Sequence, residues 1–508
     1  AAIAAQTLFG RWQFRRALAR GHDRNRYLEQ TSAVETPTNA TSGLPIVEEL
    51  SRDDLSAMRF LLDRALQPIE QFNGFSWIEQ FQTASMRYQL MMTSYVLSLT
   101  QATRLPAFRG YLSTAQRNLI EKTKLPQVWG YWKYENAFGN LRFGADPMAP
   151  DTHDNVMYSG WFAAMIGMYA SNTGDDRYDA PGAITLRGPR GREYVYDWPA
   201  VVRILANNFE RSAFTLFPCE PNWIYPLCNT YAGIGLRIHD RLRGTDHWSR
   251  LEADYRKGLE DEFTEADGRL VVIRSSLTGL SVPALTSVMT DAGVSVFQHS
   301  LLPDVARRTW EILRHDLIEL SAGELRVRYH GSDFLDVGNY ALSRAGTLAC
   351  VASLAAEMGD REVAKAAHAL LEATFPPIVE QGTTRYPGVS INSHLLAFSG
   401  RINRANGMHD LVSRGMPEAW RRGPLLEEAA YPHVLVAKAL SDGRALDLVV
   451  YPGHEPGRRE LGFTQLTPGG RYRCAGAVES ELVADAQGRA RIHVDLDGRH
   501  QLQMQPVV

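Results

Sequence analysis

Cysteine is scarce in this chain, four residues in 508, and nothing in their spacing resembles a disulfide framework. No second Cys or His pair stands at ligand spacing from them, which argues against a structural zinc site. No run of 18 or more apolar residues occurs, so no segment of this sequence reads as a membrane-spanning helix. An excess of charge of one sign is lacking as well. Lys and Arg number 54 against 57 Asp and Glu, a net charge of −3, and without a basic excess there is no electrostatic footprint for nucleic acid. A repeat at fixed period is absent, which speaks against a solenoid. What is present is an ordinary globular composition, 44% hydrophobic. It suffices for one large domain with an appendage, or for two to three domains. Ten Trp, 20 Tyr and 19 Phe predict an aromatic-rich interior suited to an apolar ligand.

The beginning of the chain permits three readings. Residues 1–10 are apolar, and Arg11-Trp12-Gln13-Phe14-Arg15-Arg16 follows. This is the pattern of a removed signal or of a transmembrane segment with its basic flank. It is also that of an amphipathic surface helix, or of an arbitrary boundary. The first reading carries an expectation of membrane association through a segment preceding residue 1, with a membrane-associated or periplasmic location. The others leave location open.

Thr, Ser, Asn and Pro across 31–45 predict a linker. Helical periodicity begins after Ser51-Arg52-Asp53-Asp54, which supplies N-cap chemistry. Helices are expected over 51–67, 77–102, 111–122 and 155–172, with a β-hairpin over 183–197. Helical pairs are then expected over 198–210 with 229–243, 247–263 with 283–298, 304–320 with 339–358, and 360–374 with 391–411. A last helix is expected over 427–440. Residues 128–150 are dense in Gly, Pro and aromatics, which predicts a long ordered loop over a concave surface. About a dozen paired helices predict a mainly α chain whose simplest closure is an α/α toroid around a central cavity. Beyond Asp442 the apolar period changes to two and predicts strands near 445–451, 471–474, 481–484 and 490–494. The expected organisation is an N-terminal segment and linker (1–50), a helical barrel (51–441) and a small β-rich domain (442–508).

Two of the four cysteines, Cys219 and Cys228, stand nine residues apart around Glu220-Pro221-Asn222-Trp223-Ile224-Tyr225-Pro226. The prolines hold this stretch as a stiff non-helical loop. A helix starting near Asn229 would put Cys228 at its N-terminus, where backbone N–H groups favour a thiolate. The plain alternative is two buried, inert thiols.

Several motifs resemble one family. They are Val128-Trp129-Gly130 with Trp132, Phe143-Gly144 with Asp146-Pro147, Asn155-Val156-Met157-Tyr158-Ser159-Gly160, and Cys219-Glu220-Pro221 with Cys228-Asn229. Asp240-Arg241-Leu242, Gly244-Thr245-Asp246 and Glu357-Met358-Gly359-Asp360 complete the set. Together they resemble the linalool dehydratase-isomerase family over about residues 51–411. The resemblance implies an (α/α)6 barrel and a homo-oligomer. It also implies a pocket without cofactor or metal, in which allylic monoterpene alcohols such as linalool and geraniol are interconverted or dehydrated. Carried over position by position, the pocket cysteines are Cys219 and Cys228, the pocket Tyr is Tyr88, the Met is Met157 and the acid is Asp63. The chain departs from the family at three points. Trp161 stands where the family has His, Glu70 is nearest to a missing Tyr, and a later Tyr is absent near 288–291. These departures bear on the groups that touch the hydroxyl.

Such chemistry needs an acid for the leaving oxygen, a pocket that tolerates an allyl cation and, for dehydration, a base. Two thiols can share the acid and base roles, and a covalent thioether is conceivable. Asp63 or Glu70, kept protonated by apolar surroundings, is expected to serve the hydroxyl. Tyr88 is expected to hydrogen-bond the oxygen. Trp161, Tyr225, Trp223 and Phe72 would offer aromatic faces to positive charge, and Met157 a packing contact. Asp291, on an otherwise apolar helix, reads as a pocket acid or as half of a structural pair. Each of these also has the plainer reading of core or solvated surface. Two other functions fit the fold class. One is a carbohydrate-active hydrolase or lyase, which would need a carboxylate pair in a cleft. The other is a non-catalytic protein that binds hydrophobic ligands.

Overall fold

Two kinds of apolar pattern sort the helices into two layers. The computed structural model describes residues 2–31, 45–188 and 191–507, with the backbone path only for 2–10 and 13. In chain order the helices are α1 (Ala2–Thr31), α2 (Arg52–Ala65), α3 (Met86–Arg104), α4 (Gly110–Thr123), α5 (Pro126–Trp129) and α6 (Trp132–Gly139). They continue with α7 (Val156–Thr173), α8 (Trp198–Arg211), α9 (Pro226–Arg243), α10 (His247–Glu262), α11 (Val288–Gln298) and α12 (Pro303–Asp316). The last are α13 (Ala345–Met358), α14 (Arg361–Thr374), α15 (Ile391–Ile402), α16 (Gly407–Ser413) and α17 (Glu418–Arg422).

Every residue of α3 and α7 is buried, and α13 leaves only its last residue, Met358, partly exposed. Helices that are covered all round must be walled in by others. By contrast α8 buries Trp198, Val201, Val202, Leu205, Ala206 and Phe209, the single stripe of a helix with one wet face. α3, α7 and α13 are members of a closed succession. α3 packs on α7, α7 on α9, α9 on α11, α11 on α13, α13 on α15, and α15 returns to α3. The helices α4, α8, α10, α12, α14 and α2 each pack against members of this set. The closest pairing, α7 with α9, depends on two glycines. A Cβ at Gly160 would come within 2.9 Å of the Ala232 Cβ, and one at Gly235 within 2.9 Å of the Ala163 Cβ.

Ser51 caps α2 as its sequence predicts. Its side chain accepts from the Asp54 N–H, and the Asp54 carboxylate accepts from the Ser51 N–H. The hairpin pairs Ile184–Arg187 with Glu193–Tyr196. Several expected boundaries move. The helix expected over 77–102 starts at Met86, and the stretch over 391–411 divides into α15 and α16. The loop expected over 128–150 carries α6 and the end of α5. Of the linker expected over 31–45, residues 32–44 lie outside the described residues.

The helix expected over 427–440 is corrected, because strand begins at Leu425. Pro432 has no N–H to give and cannot sit in a helix interior. Val434–Ser441 is instead buried on both faces of a sheet strand. It opens an antiparallel five-stranded sheet in the order Val434–Ser441, Leu446–Pro452, His500–Pro506, Arg471–Ala475, Glu481–Val483. A three-stranded sheet runs Leu425–Ala429, Gly457–Thr464, Ala490–Leu496. Leu448 stands opposite Leu502, and Leu461 opposite Ile492, all four buried. The chain is therefore mainly helical with a small β-rich C-terminal region. Among the described residues no helix is long and apolar enough to cross a membrane.

Candidate active site

The loop between the two cysteines is folded back on itself by main-chain bonds. The Cys219 N–H donates to the Trp223 carbonyl (2.8 Å), and the Trp223 N–H donates to the Glu220 carbonyl (3.0 Å). Asn222 turns the chain with φ at +72°, a conformation Asn tolerates better than most residues. The Asn229 side chain fastens the far end, exchanging hydrogen bonds with the Phe217 N–H (3.0 Å) and carbonyl (2.9 Å). Pro226 opens α9 at its first residue, where its missing N–H is no loss. Cys228 therefore lies in the first turn of a helix that starts three residues before Asn229, where periodicity places the start.

The start of α7 is sewn to the same loop. Asn155, left-handed with φ at +64°, donates its N–H to the Cys219 carbonyl (2.9 Å). Its side chain donates to the Pro147 carbonyl (2.8 Å) and accepts from the Tyr131 hydroxyl (2.7 Å). One helical turn apart on α7, Met157 takes a contact from Arg87 at its sulfur, and Trp161 packs among Tyr88, Tyr95 and Tyr231.

Cys219 and Cys228 are both buried and unbridged, and they lie close enough for Cys228 to act on the Cys219 thiol. Burial pushes the Cys219 thiol well up, and the contact with Cys228 pushes it further, although the Tyr225 backbone N–H beside its sulfur pulls the other way. Tyr88 is next to the pair. Burial raises its hydroxyl well above the usual value, Arg87 opposes this, and Cys228, Glu220 and Cys219 add to it. The Tyr225 hydroxyl is raised by burial and then by Glu220 and the same two sulfurs. The Trp161 ring lies 4.8 Å from Tyr88 and 3.9 Å from Tyr231, and its Nε1 lacks a partner among the described residues.

Two groups join this cluster without having been assigned a role from the sequence. Arg87 is fully buried. It donates to the Tyr88 hydroxyl (3.3 Å), the Met157 sulfur (3.4 Å) and the Phe81 carbonyl (2.7 Å), and it lies 4.0 Å from the Tyr131 ring centre. Burial works against its charge, and Tyr131, Tyr88 and Glu220 outweigh that cost. Glu220 is 7% exposed, and its Oε2 lacks a partner among the described residues. Burial pushes its carboxyl up to about 7, against the pull of Arg87. The signal for Glu220 was its place between the cysteines. A Glu before Pro in a loop reads as solvated until Arg87 and Gln82 are seen to close over it.

Three expected site residues lie elsewhere. Asp63 is exposed on α2; its carboxylate accepts from the Tyr431 hydroxyl and from Thr383 Oγ1 (3.0 Å), so it ties α2 to neighbouring segments rather than reaching the thiols. Glu70 is exposed beyond the end of α2, where its charge faces Lys122, so the two carboxylates do not share a helix face. Asp291 is buried and paired with Arg269, whose Nε stands 2.6 Å away, and it accepts from the Leu270 N–H. Burial still raises its carboxyl. It is the structural half-pair, not a free pocket acid. Trp223 is 38% exposed, and Phe72 packs against Phe75 and Trp77. Among the described residues no group of three or more His, Cys, Asp or Glu is arranged to hold a metal ion.

A family model described as linalool dehydratase/isomerase matches residues 87–392, more than half of the chain. The matched span contains Tyr88, Met157, Trp161, both thiols and Glu220, and leaves out Asp63 and Glu70. Among solved structures, a GH127 beta-L-arabinofuranosidase from Geobacillus stearothermophilus T6 is similar at 12% identity and a TM-score of 0.27. That match covers 89% of this chain and 76% of that one; likeness at this level has no bearing on fold or function.

Proposed function

This chain belongs to the linalool dehydratase/isomerase family, and from that premise we propose that it isomerises or dehydrates an allylic monoterpene-type alcohol such as linalool or geraniol without a cofactor. The observation that carries the reading is the pair of unbridged, buried thiols, near enough to act on one another and on Tyr88, with Trp161 against Tyr88 and Glu220 between them in the chain. In this reading the closed succession of inner helices is an (α/α)6 barrel, residues 1–50 are a separate N-terminal segment, and the β-rich unit is an appendage that begins at Leu425.

The proposed chemistry uses proton transfers alone. Glu220, balanced near neutrality, donates a proton to the substrate hydroxyl, which Tyr88 orients by a hydrogen bond. A donor with a pKa close to the working pH serves this best. The C–O bond breaks with its electron pair on departing water. The allyl cation left behind is flanked by the rings of Trp161, Tyr88 and Tyr231, whose faces attract positive charge. Water returning at the other end of the allyl system, with loss of a proton to Glu220, gives the isomer. Cys228 takes a proton from an adjacent carbon as its own proton passes to the Glu220 carboxylate, which gives the diene and restores both groups. Cys219, which holds its own proton, hydrogen-bonds the Cys228 sulfur. Asp63 has no part in this scheme.

The test is gas chromatography of the full chain incubated with linalool and, separately, with geraniol. Conversion of either alcohol to the other, or to a diene, is expected. Recovery of both unchanged, under conditions where the protein is folded, would overturn the reading.

A further inference from the structure

About 20 Å along α9 from Cys228, at 1.5 Å per residue, a concavity opens at the opposite end of the helix. It is a cleft of about 260 Å³ lined by the C-terminal end of α7 (Ser171 to Gly174), Leu242, Arg109 and the short helix α17. Its charge is one-sided. Arg109, Arg421 and Arg422 line it, and the one carboxylate in the lining, Glu418, is held by Arg422 at 2.5 Å. Three guanidiniums against one carboxylate leave two positive charges without an answer. The guanidiniums of Arg109 and Arg421 make no hydrogen bond or ion pair among the described residues.

Arg241 stands behind them and deepens the imbalance. Its partners are Ser171 Oγ (2.6 Å) and the carbonyls of Leu411 (3.2 Å) and Val412 (3.1 Å), none of which carries a neutralising charge. Asn172 lines the same cleft, is 4% exposed, and its Oδ1 lacks a partner. The carbonyl end of α7 favours cations, but a helix-end charge is only a fraction of a guanidinium's, and three guanidiniums outweigh it.

We propose that this cleft is a binding site for a phosphate-type dianion. Two unanswered positive charges match a dianion, and guanidinium groups match the geometry of phosphate oxygens. The volume lies below the roughly 300–1,000 Å³ of sites for drug-sized molecules, so the cleft admits a head group and not a whole hydrophobic substrate. The site is separate from the thiol cluster, and the proposal stands or falls without it.

Calorimetric titration of the full chain with inorganic phosphate at fixed ionic strength tests the proposal. Saturable binding is expected in the wild type. It should weaken by about tenfold or more for each arginine removed in Arg109→Gln/Arg421→Gln, whose side chains leave no buried partner stranded. Arg421→Glu, on an exposed helix, is a second variant and should abolish binding by reversing the charge. Co-sedimentation with phosphatidylcholine vesicles, with and without phosphatidic acid, separates the sources. Capture that needs phosphatidic acid and is lost in Arg421→Glu assigns a lipid head group, whereas phosphate binding without capture assigns a free phosphate or phosphate ester. Absence of saturable phosphate binding in the wild type, or equal binding in the arginine variants, would overturn the proposal.

Discussion

Replacing Glu220 by Gln keeps the shape of the side chain and removes its ability to ionise. Burial raises the folded carboxyl from 4.5 to about 7. At 1.36 kcal/mol for each pH unit of displacement, ionising it in the folded protein costs roughly 3 kcal/mol more than in the unfolded chain. Below pH 4.5 both states hold the proton and there is no penalty. Between about 4.5 and 7 the unfolded chain releases it while the folded protein keeps it. Stability therefore falls as pH rises through that window, and the loss is complete above about 7. Glu220→Gln abolishes this slope. The denaturant midpoints of variant and wild type, followed by tryptophan fluorescence at each pH from 4 to 8, should diverge in the variant's favour by an amount equivalent to roughly 3 kcal/mol. In parallel, kcat/KM of the wild type should fall above about pH 7 as the acid is lost, and the variant should be slow at every pH. A stability gap that stays constant from pH 4 to 8 would refute the assignment of Glu220 as a buried carboxyl poised near neutrality.

Asp63→Ala removes an exposed carboxylate bonded to Tyr431 and Thr383. It should leave turnover within about twofold and stability within about 0.5–1.5 kcal/mol, as expected for surface hydrogen bonds; steady-state assays and melting curves check both. Asp291→Ala strands the Arg269 guanidinium and should cost about 3–5 kcal/mol. The loss should appear as a lowered melting temperature, with activity per folded molecule unchanged.

The layering of the helices was legible at α7 and α8 but not at α3, which buries Arg87, Gln89, Gln101 and Arg104 with no apolar pattern to announce it. The uniform apolarity of α7 and the single stripe of α8 report how many sides are covered. The thiol pair was legible because the prolines and the short separation confine the loop. What the sequence could not carry was the identity of long-range neighbours. Asp63 sits on the helix that periodicity assigns to it, yet its partners are 320 and 368 residues away, and nothing local says that it faces them instead of the thiols. Asp291 read equally well as pocket acid or structural half-pair because Arg269 reaches it across a loop. Arg87 and Glu220 come to act on one another inside the protein although 133 residues separate them, and nothing local to either announces it. The mistaken helix over 427–440 is different, since Pro432 was a local warning and the apolar run around it suits a doubly covered strand.

The central claim is that the two sulfurs carry out proton chemistry on an allylic alcohol. Its most direct test is formation of the diene from linalool by Cys219→Ala and Cys228→Ala, each confirmed as folded by circular dichroism and melting. Both variants should lose about 100-fold or more of the wild-type rate, as expected when an acid–base partner is removed. Conversion at the wild-type rate by either variant would contradict the claim.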